Sequence, residues 1–173
     1  MSFPSKDKFE HEMLIGISCE VLDGLNHLAR LVRSVGDLAE LVKCSSVYES
    51  IEDETPTRNT VVLRMSTNLS ASSVLDSIQV TEIQARLNES VRSAEVMLLA
   101  YDYEAIIGES LTLPHPSLVF SNATLQAASE AWGAYQHPVL QKSIVELVSE
   151  MTQQAHFNFV CTARSLIQRS GEN

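Results

Sequence analysis

Apolar residues in this chain alternate between short runs and helical spacing, and each change of spacing marks an element. Met13-Leu-Ile-Gly-Ile-Ser is a short apolar run followed by a turn-rich patch ending at Gly24, and it reads as a first strand. Leu25, Leu28, Leu31, Val32, Val35 and Leu38 then recur at helical spacing, which predicts an amphipathic helix from about residue 24 that ends at Gly36-Asp37. Leu41 to Ser50 reads as a second strand with Val42, Cys44, Ser46 and Tyr48 on one face. An acidic stretch with proline and threonine, Ile51 to Arg58, has no periodicity and reads as a loop. Thr60-Val-Val-Leu-Arg-Met-Ser-Thr is a third strand. The serines at Ser70, Ser72 and Ser73 precede a second helix to about Leu87, carrying Val74, Leu75, Ile78, Ile83 and Leu87.

Val96-Met-Leu-Leu-Ala-Tyr is a fourth strand, apolar enough to be expected at the centre of a sheet. Pro114 and Pro116 then halt regular structure. Helical patterns follow from Ser121 to Trp132 and from Pro138 onward, the latter with Leu140, Ile144, Leu147, Val148 and Met151. The apolar tail from Ala155 to Ile167 packs in either form. The order βαββαβ predicts an α+β fold with a ferredoxin-like core, an antiparallel sheet with helices on one face and extra C-terminal helices. Many unrelated functions use that scaffold, so the order alone carries no chemistry.

Composition narrows the class. The 173 residues suit one domain, and 45% hydrophobic with 20% charged residues is ordinary for a globular protein. No apolar run reaches the roughly 18 residues a membrane span needs. The polar start from Met1 is expected to be a flexible leader over residues 1–12, with the domain at 13–153 and an extension at 154–173 that packs on it or stays partly disordered. A cytoplasmic location is the default that follows. Cys19, Cys44 and Cys161 have no ligand-like spacing and read as free thiols. A net charge of −10 disfavours nucleic acid and anionic membranes as partners, and any phosphate ligand needs local cations or metal. No P-loop, GxSxG, HExxH or Cys–His pattern is present.

Four strings carry something more specific: Leu14-Ile-Gly-Ile-Ser, Ser45-Ser-Val-Tyr-Glu-Ser, Arg92-Ser-Ala-Glu-Val-Met-Leu-Leu, and Leu111-Thr-Leu-Pro-His. In this order and spacing, over roughly residues 13 to 148, the chain resembles the 6-hydroxymethyl-7,8-dihydropterin pyrophosphokinase (HPPK) family. The resemblance implies pyrophosphoryl transfer from ATP to the pterin hydroxymethyl group in folate biosynthesis. Two Mg²⁺ ions would neutralise the charge that builds on the phosphate oxygens.

The family has an Arg-x-x-Asp-x-Asp arrangement, because two acids one residue apart on a strand share a face and hold a metal pair. Here the resemblance makes Arg92 the family arginine and Glu95 the first metal carboxylate, and it puts Met97, a soft neutral thioether, in place of the second. It further implies nucleotide contacts at Gln79, Glu82, Leu98, Thr112 and His115, with Arg92 and His115 on the phosphates. On the pterin side it leaves only Asn59, one position out of register. Ser110 stands where the family has an arginine, Asn88 to Val91 is far shorter than its arginine- and tryptophan-bearing loop, and Phe120 is out of register.

The residues also support plainer roles. Glu95 can be a partly exposed strand carboxylate, Met97 core, and Gln79 with Glu82 an ordinary solvated helix face. Tyr48, Tyr101 and Tyr103 are expected to pack around the sheet and Trp132 to anchor the late helices. His11, His27, His137 and His156 form no ligand spacing and are expected at the surface. Two expectations result: an HPPK-like enzyme using Mg²⁺ and ATP, weakened by its incomplete site, or a non-catalytic relative that binds a small ligand, a protein partner or a second copy of itself.

Overall fold

Ten residues of β1 (His11–Glu20) alternate their side chains between two cores. Met13, Ile15, Ile17 and Cys19 point to one face, Leu14 to the other, and that is why the strand reads as an unbroken apolar run. A computed structural model of the chain describes residues 11–51, 57–89, 93–151 and 157–169. Arg92, residues 90 and 91 of the short stretch before it, His156 and the expected leader up to residue 10 lie outside the described residues.

After a 3-10 turn (Val21–Asp23), α1 (Leu25–Gly36) leads into β2 (Glu40–Cys44), β3 (Val47–Ser50) and β4 (Arg58–Thr67). Then follow α2 (Ala71–Glu89), β5 (Glu95–Tyr101), a hairpin of β6 (Ile106–Ile107) and β7 (Thr112–Leu113), α3 (Ser117–Phe120) and α4 (Asn122–Trp132). The chain closes with α5 (Ile144–Ser149), β8 (Phe157–Cys161) and α6 (Ala163–Arg169). The main sheet has the strand order β5-β1-β4-β3-β8, with β2 beside β4. Its pairs are antiparallel. The first four positions are the ferredoxin-like arrangement, and β8 extends it.

The two helices of the ferredoxin-like unit cover one face, as expected, and the extra C-terminal helices cover the other. α1 and α2 pack over Ile15, Ile17, Val61 and Leu63. On the other side α3, α4 and α5 pack over Leu14, Val62 and Leu99. Two element boundaries expected from the sequence are corrected. The second strand breaks at Ser45, whose amide donates to the Val62 carbonyl at 2.9 Å while its hydroxyl accepts the Val62 N–H at 2.9 Å. Ser46 then turns its amide to Glu130 at 2.7 Å, and Glu130 also takes the Tyr48 hydroxyl. The helix expected from Pro138 starts at Ile144, because Gln141 sits at φ +55° and Ser143 with Glu146 forms a capping box.

The fourth strand, expected at the centre, is the terminal one, and its outer edge is closed by side chains and a loop. Glu82 accepts the Val96 N–H at 3.3 Å, Arg86 donates to the Ala94 carbonyl at 3.0 Å, and the His115 N–H reaches the Leu99 carbonyl at 2.8 Å. These contacts satisfy an edge that its apolar sequence makes look internal. His137 is buried instead of exposed, and its Nδ1 accepts the Leu140 N–H. His11 is tied to Asp102, its Nδ1 standing 2.7 Å from Oδ2. Asp102, at φ +44°, also accepts the Glu12 N–H and so fastens the start of β1 to the end of β5. No helix among the described residues is long and apolar enough to cross a membrane.

Candidate functional site

Strand register sets which chemistry-bearing residues meet. Ser18 of β1 lies opposite Glu95 of β5 on one side and Thr60 of β4 on the other. Arg58 precedes Thr60 by two and therefore shares its face, as Met97 shares that of Glu95. All of these side chains belong to the α3–α4 side of the sheet, at the end where β4 and β5 begin.

Arg58 is the centre of the cluster. Its Nε donates to Ser18 Oγ at 3.2 Å, and its Nη2 to Ser18 Oγ at 3.1 Å, to the Ser18 carbonyl at 3.3 Å and to the Ser93 carbonyl at 2.5 Å. The same Nη2 lies 3.4 Å from Glu95 Oε2. Ser18 Oγ also approaches that oxygen at 3.5 Å. The Glu95 side chain is 52% exposed, so the ion pair itself contributes about 0–1 kcal/mol. Its larger effect is to commit the carboxylate to a cation.

His115 follows the β6–β7 hairpin on a loop fixed by its backbone bond to Leu99. Its Nδ1 accepts the Ser117 N–H at 3.2 Å, so in the neutral ring the proton sits on Nε2. Burial lowers its pKa below the ordinary value, and the negative charge of Glu95 opposes that in part. This coupling places Glu95 and His115 within electrostatic reach of each other. Met97 lies half-buried, packed toward the α4 side.

The other residues singled out in the sequence are elsewhere. Asn59 is buried on the opposite face, facing the α1–α2 core beside Cys19. Leu98 turns its side chain into that same core. Gln79 is exposed on α2, Glu82 pairs with Arg86 and braces β5, and Thr112 donates to the Gly108 carbonyl at 3.3 Å. The structure thus gathers Glu95, Met97 and His115, and leaves Asn59 and Gln79 apart from them. Arg58, which the sequence reading leaves at the end of a loop, is the residue it missed. The available signal was its spacing of two from Thr60, which places a cation on the face of a strand in an acidic chain.

Cavities of about 310 Å³ between α1 and α2, lined by Arg30, Ser34 and Thr81, and of about 340 Å³ beside His11 and Tyr101, contain neither Glu95 nor His115. Among the described residues, no three His, Cys, Asp or Glu side chains are grouped as a metal site. A thioether and a guanidinium next to a single carboxylate do not suit Mg²⁺, which takes hard oxygen donors.

No family model and no curated protein matches the chain. Solved structures do. A Plasmodium falciparum HPPK-DHPS wild-type chain superposes with a TM-score of 0.68 at 9% identity, over 84% of this chain and 45% of that one. An HPPK-DHPS in complex with substrates gives 0.66 at 6% identity, over 88% and 47%. The chain spans less than half the length of these proteins, and at such identity the likeness is one of fold. The fold is HPPK-like.

Proposed function

We propose that this chain is an HPPK-like protein that has lost magnesium-dependent pyrophosphoryl transfer and acts as a ligand-binding relative of that family. The observation that carries the reading is the pairing of Glu95 with Arg58, next to Met97 on the same strand face. Transfer from ATP to 6-hydroxymethyl-7,8-dihydropterin builds negative charge that two metal ions must neutralise. With one of the two carboxylates replaced and the other committed to a guanidinium, the described residues offer no hard donor pair there. A guanidinium also repels an incoming dication, since unit charges 4 Å apart interact by about 4 kcal/mol near a protein surface. Losing on the order of 4 kcal/mol of transition-state stabilisation is about a thousandfold in rate.

The fold supports the family part of this reading, and the retained Leu111-Thr-Leu-Pro-His string, with His115 under the electrostatic influence of Glu95, supports a surviving ligand site. The test is AMP formation from Mg-ATP with the hydroxymethyl pterin as acceptor. The expected result is no AMP above the protein-free rate. Steady pterin-dependent turnover would overturn the reading.

A further inference from the structure

The cation that stands beside Glu95 has one side still open. Among the described residues, the Arg58 side-chain hydrogen bonds and ion pair fall on Nε and Nη2. Among the described residues, none falls on Nη1. Ser18 and the Ser93 carbonyl hold the guanidinium in one orientation, so its position is set before any ligand arrives. The neutral His115 ring offers a second donor, Nε2–H, in the electrostatic neighbourhood of the same carboxylate. A guanidinium held in place by Ser18 and the Ser93 carbonyl, with Nη1 turned to none of the described residues, is a donor for an oxyanion, and in a chain of net charge −10 it is a local exception.

We propose that Arg58 is a tethered cation that takes over the charge role of a divalent ion, so that this site binds an oxyanion of a small ligand, phosphate or carboxylate, without metal. Glu95 is then the site's own stand-in anion. Its half-exposed carboxylate competes for Arg58 and gives way when a ligand oxyanion arrives. This role is the opposite of a metal ligand's, and the two differ in sign. Removing the charge of a metal ligand weakens binding, whereas removing the charge of a competitor strengthens it. The inference rests on the reading that magnesium-dependent transfer is lost, and goes beyond it by naming the ligand chemistry and the residue that receives it.

The experiment is calorimetric titration with inorganic pyrophosphate and, separately, with malonate, in EDTA and then in Mg²⁺ without EDTA. The tighter of the two probes names the ligand class. The wild-type protein is expected to bind at least one of them equally well in both buffers. Glu95→Gln, a change at a half-exposed position, is expected to bind it about threefold more tightly, as release of such a pair allows. Arg58→Gln is expected to lose about tenfold or more, the scale of a bidentate guanidinium contact. Absence of binding by both probes, a requirement for Mg²⁺, or weaker binding by Glu95→Gln overturns the proposal. The titrations contain no nucleotide or pterin, so they fail independently of the AMP assay.

Discussion

Arg58 Nη2 lies 3.4 Å from Glu95 Oε2, joining the first residue of β4 to the first residue of β5 across Ser18 of β1. Three strands thus converge on one ion pair at the end of the sheet. The pair rests on register: slipping β5 by one residue would turn Glu95 to the opposite face and bring an apolar neighbour in its place. Its consequences reach His115, the metal question and the ligand.

His115 should report the charge of Glu95 directly. Burial holds its pKa below the ordinary value of 6.5, and the carboxylate pulls it partly back. In Glu95→Gln that pull is gone, so the His115 ring should titrate at still lower pH, read from its Cε1 proton by NMR. The sign for stability follows. A histidine with a lowered folded pKa stabilises fully above its unfolded value and loses that contribution as pH falls through the folded one. An unchanged His115 titration in Glu95→Gln would place the two groups out of contact.

Glu130 should give the fold an acid-side dependence. Burial pushes its carboxyl up, but the Tyr48 hydroxyl and the Ser46 amide, bonded to the ionised form, outweigh this and hold it below the ordinary range. A carboxyl depressed in the folded state stabilises above its unfolded pKa and loses that contribution as pH falls through the folded one. The Tm gap between wild type and Glu130→Gln should therefore be widest near neutral pH and close on acidification below the ordinary carboxylate range. Tyr48→Phe should cost about 0.5–1.5 kcal/mol at neutral pH in denaturant unfolding, the share of one hydrogen bond.

The capping box at α5 is a local test of the fold. Ser143 Oγ accepts the Glu146 N–H at 3.2 Å, and Glu146 Oε2 takes the Ser143 N–H at 2.7 Å. Ser143→Ala should lower stability by about 1 kcal/mol in denaturant unfolding. Gln141→Gly, at φ +55°, should be neutral or stabilising, because glycine adopts that region without strain.

How much of this could be read from the chain differs between fold and site. Strand β1 and helix α1 were legible because their apolar spacing is set by burial, and the structure buries those side chains. The terminal place of β5 was hidden, since Glu82, Arg86 and the His115 amide close its edge from distant parts of the sequence. The break at Ser45 was hidden for a similar reason: a buried hydroxyl substitutes for a backbone acceptor, and no periodicity records it. At the site, Glu95 and Met97 could be placed on one face by counting in twos. The Arg58–Glu95 pair could not, because it depends on which strands become neighbours. Asn59 fell on the far face by the same parity that placed Thr60 and Arg58 on the near one.

Restoring a hard donor set should restore metal binding. Met97→Asp supplies a second carboxylate beside Glu95, and Arg58→Gln frees the first. The double variant should bind Mn²⁺ about tenfold or more tightly than wild type in water-proton relaxation, since hard cations depend on carboxylate number. Met97 is half-buried, so Met97→Asp is expected to cost about 1–3 kcal/mol of stability, within reach of a folded variant. Equal, weak Mn²⁺ binding in both proteins would show that these strands do not form the metal position.

The central claim is that the Arg58–Glu95 site does not work through magnesium. It is tested most directly by calorimetric titration with a non-hydrolysable ATP analogue, with and without Mg²⁺. The account expects the two isotherms to coincide, with no magnesium-dependent binding up to high micromolar analogue. Binding that appears only with Mg²⁺ would contradict it and return Glu95 to the role of a metal ligand.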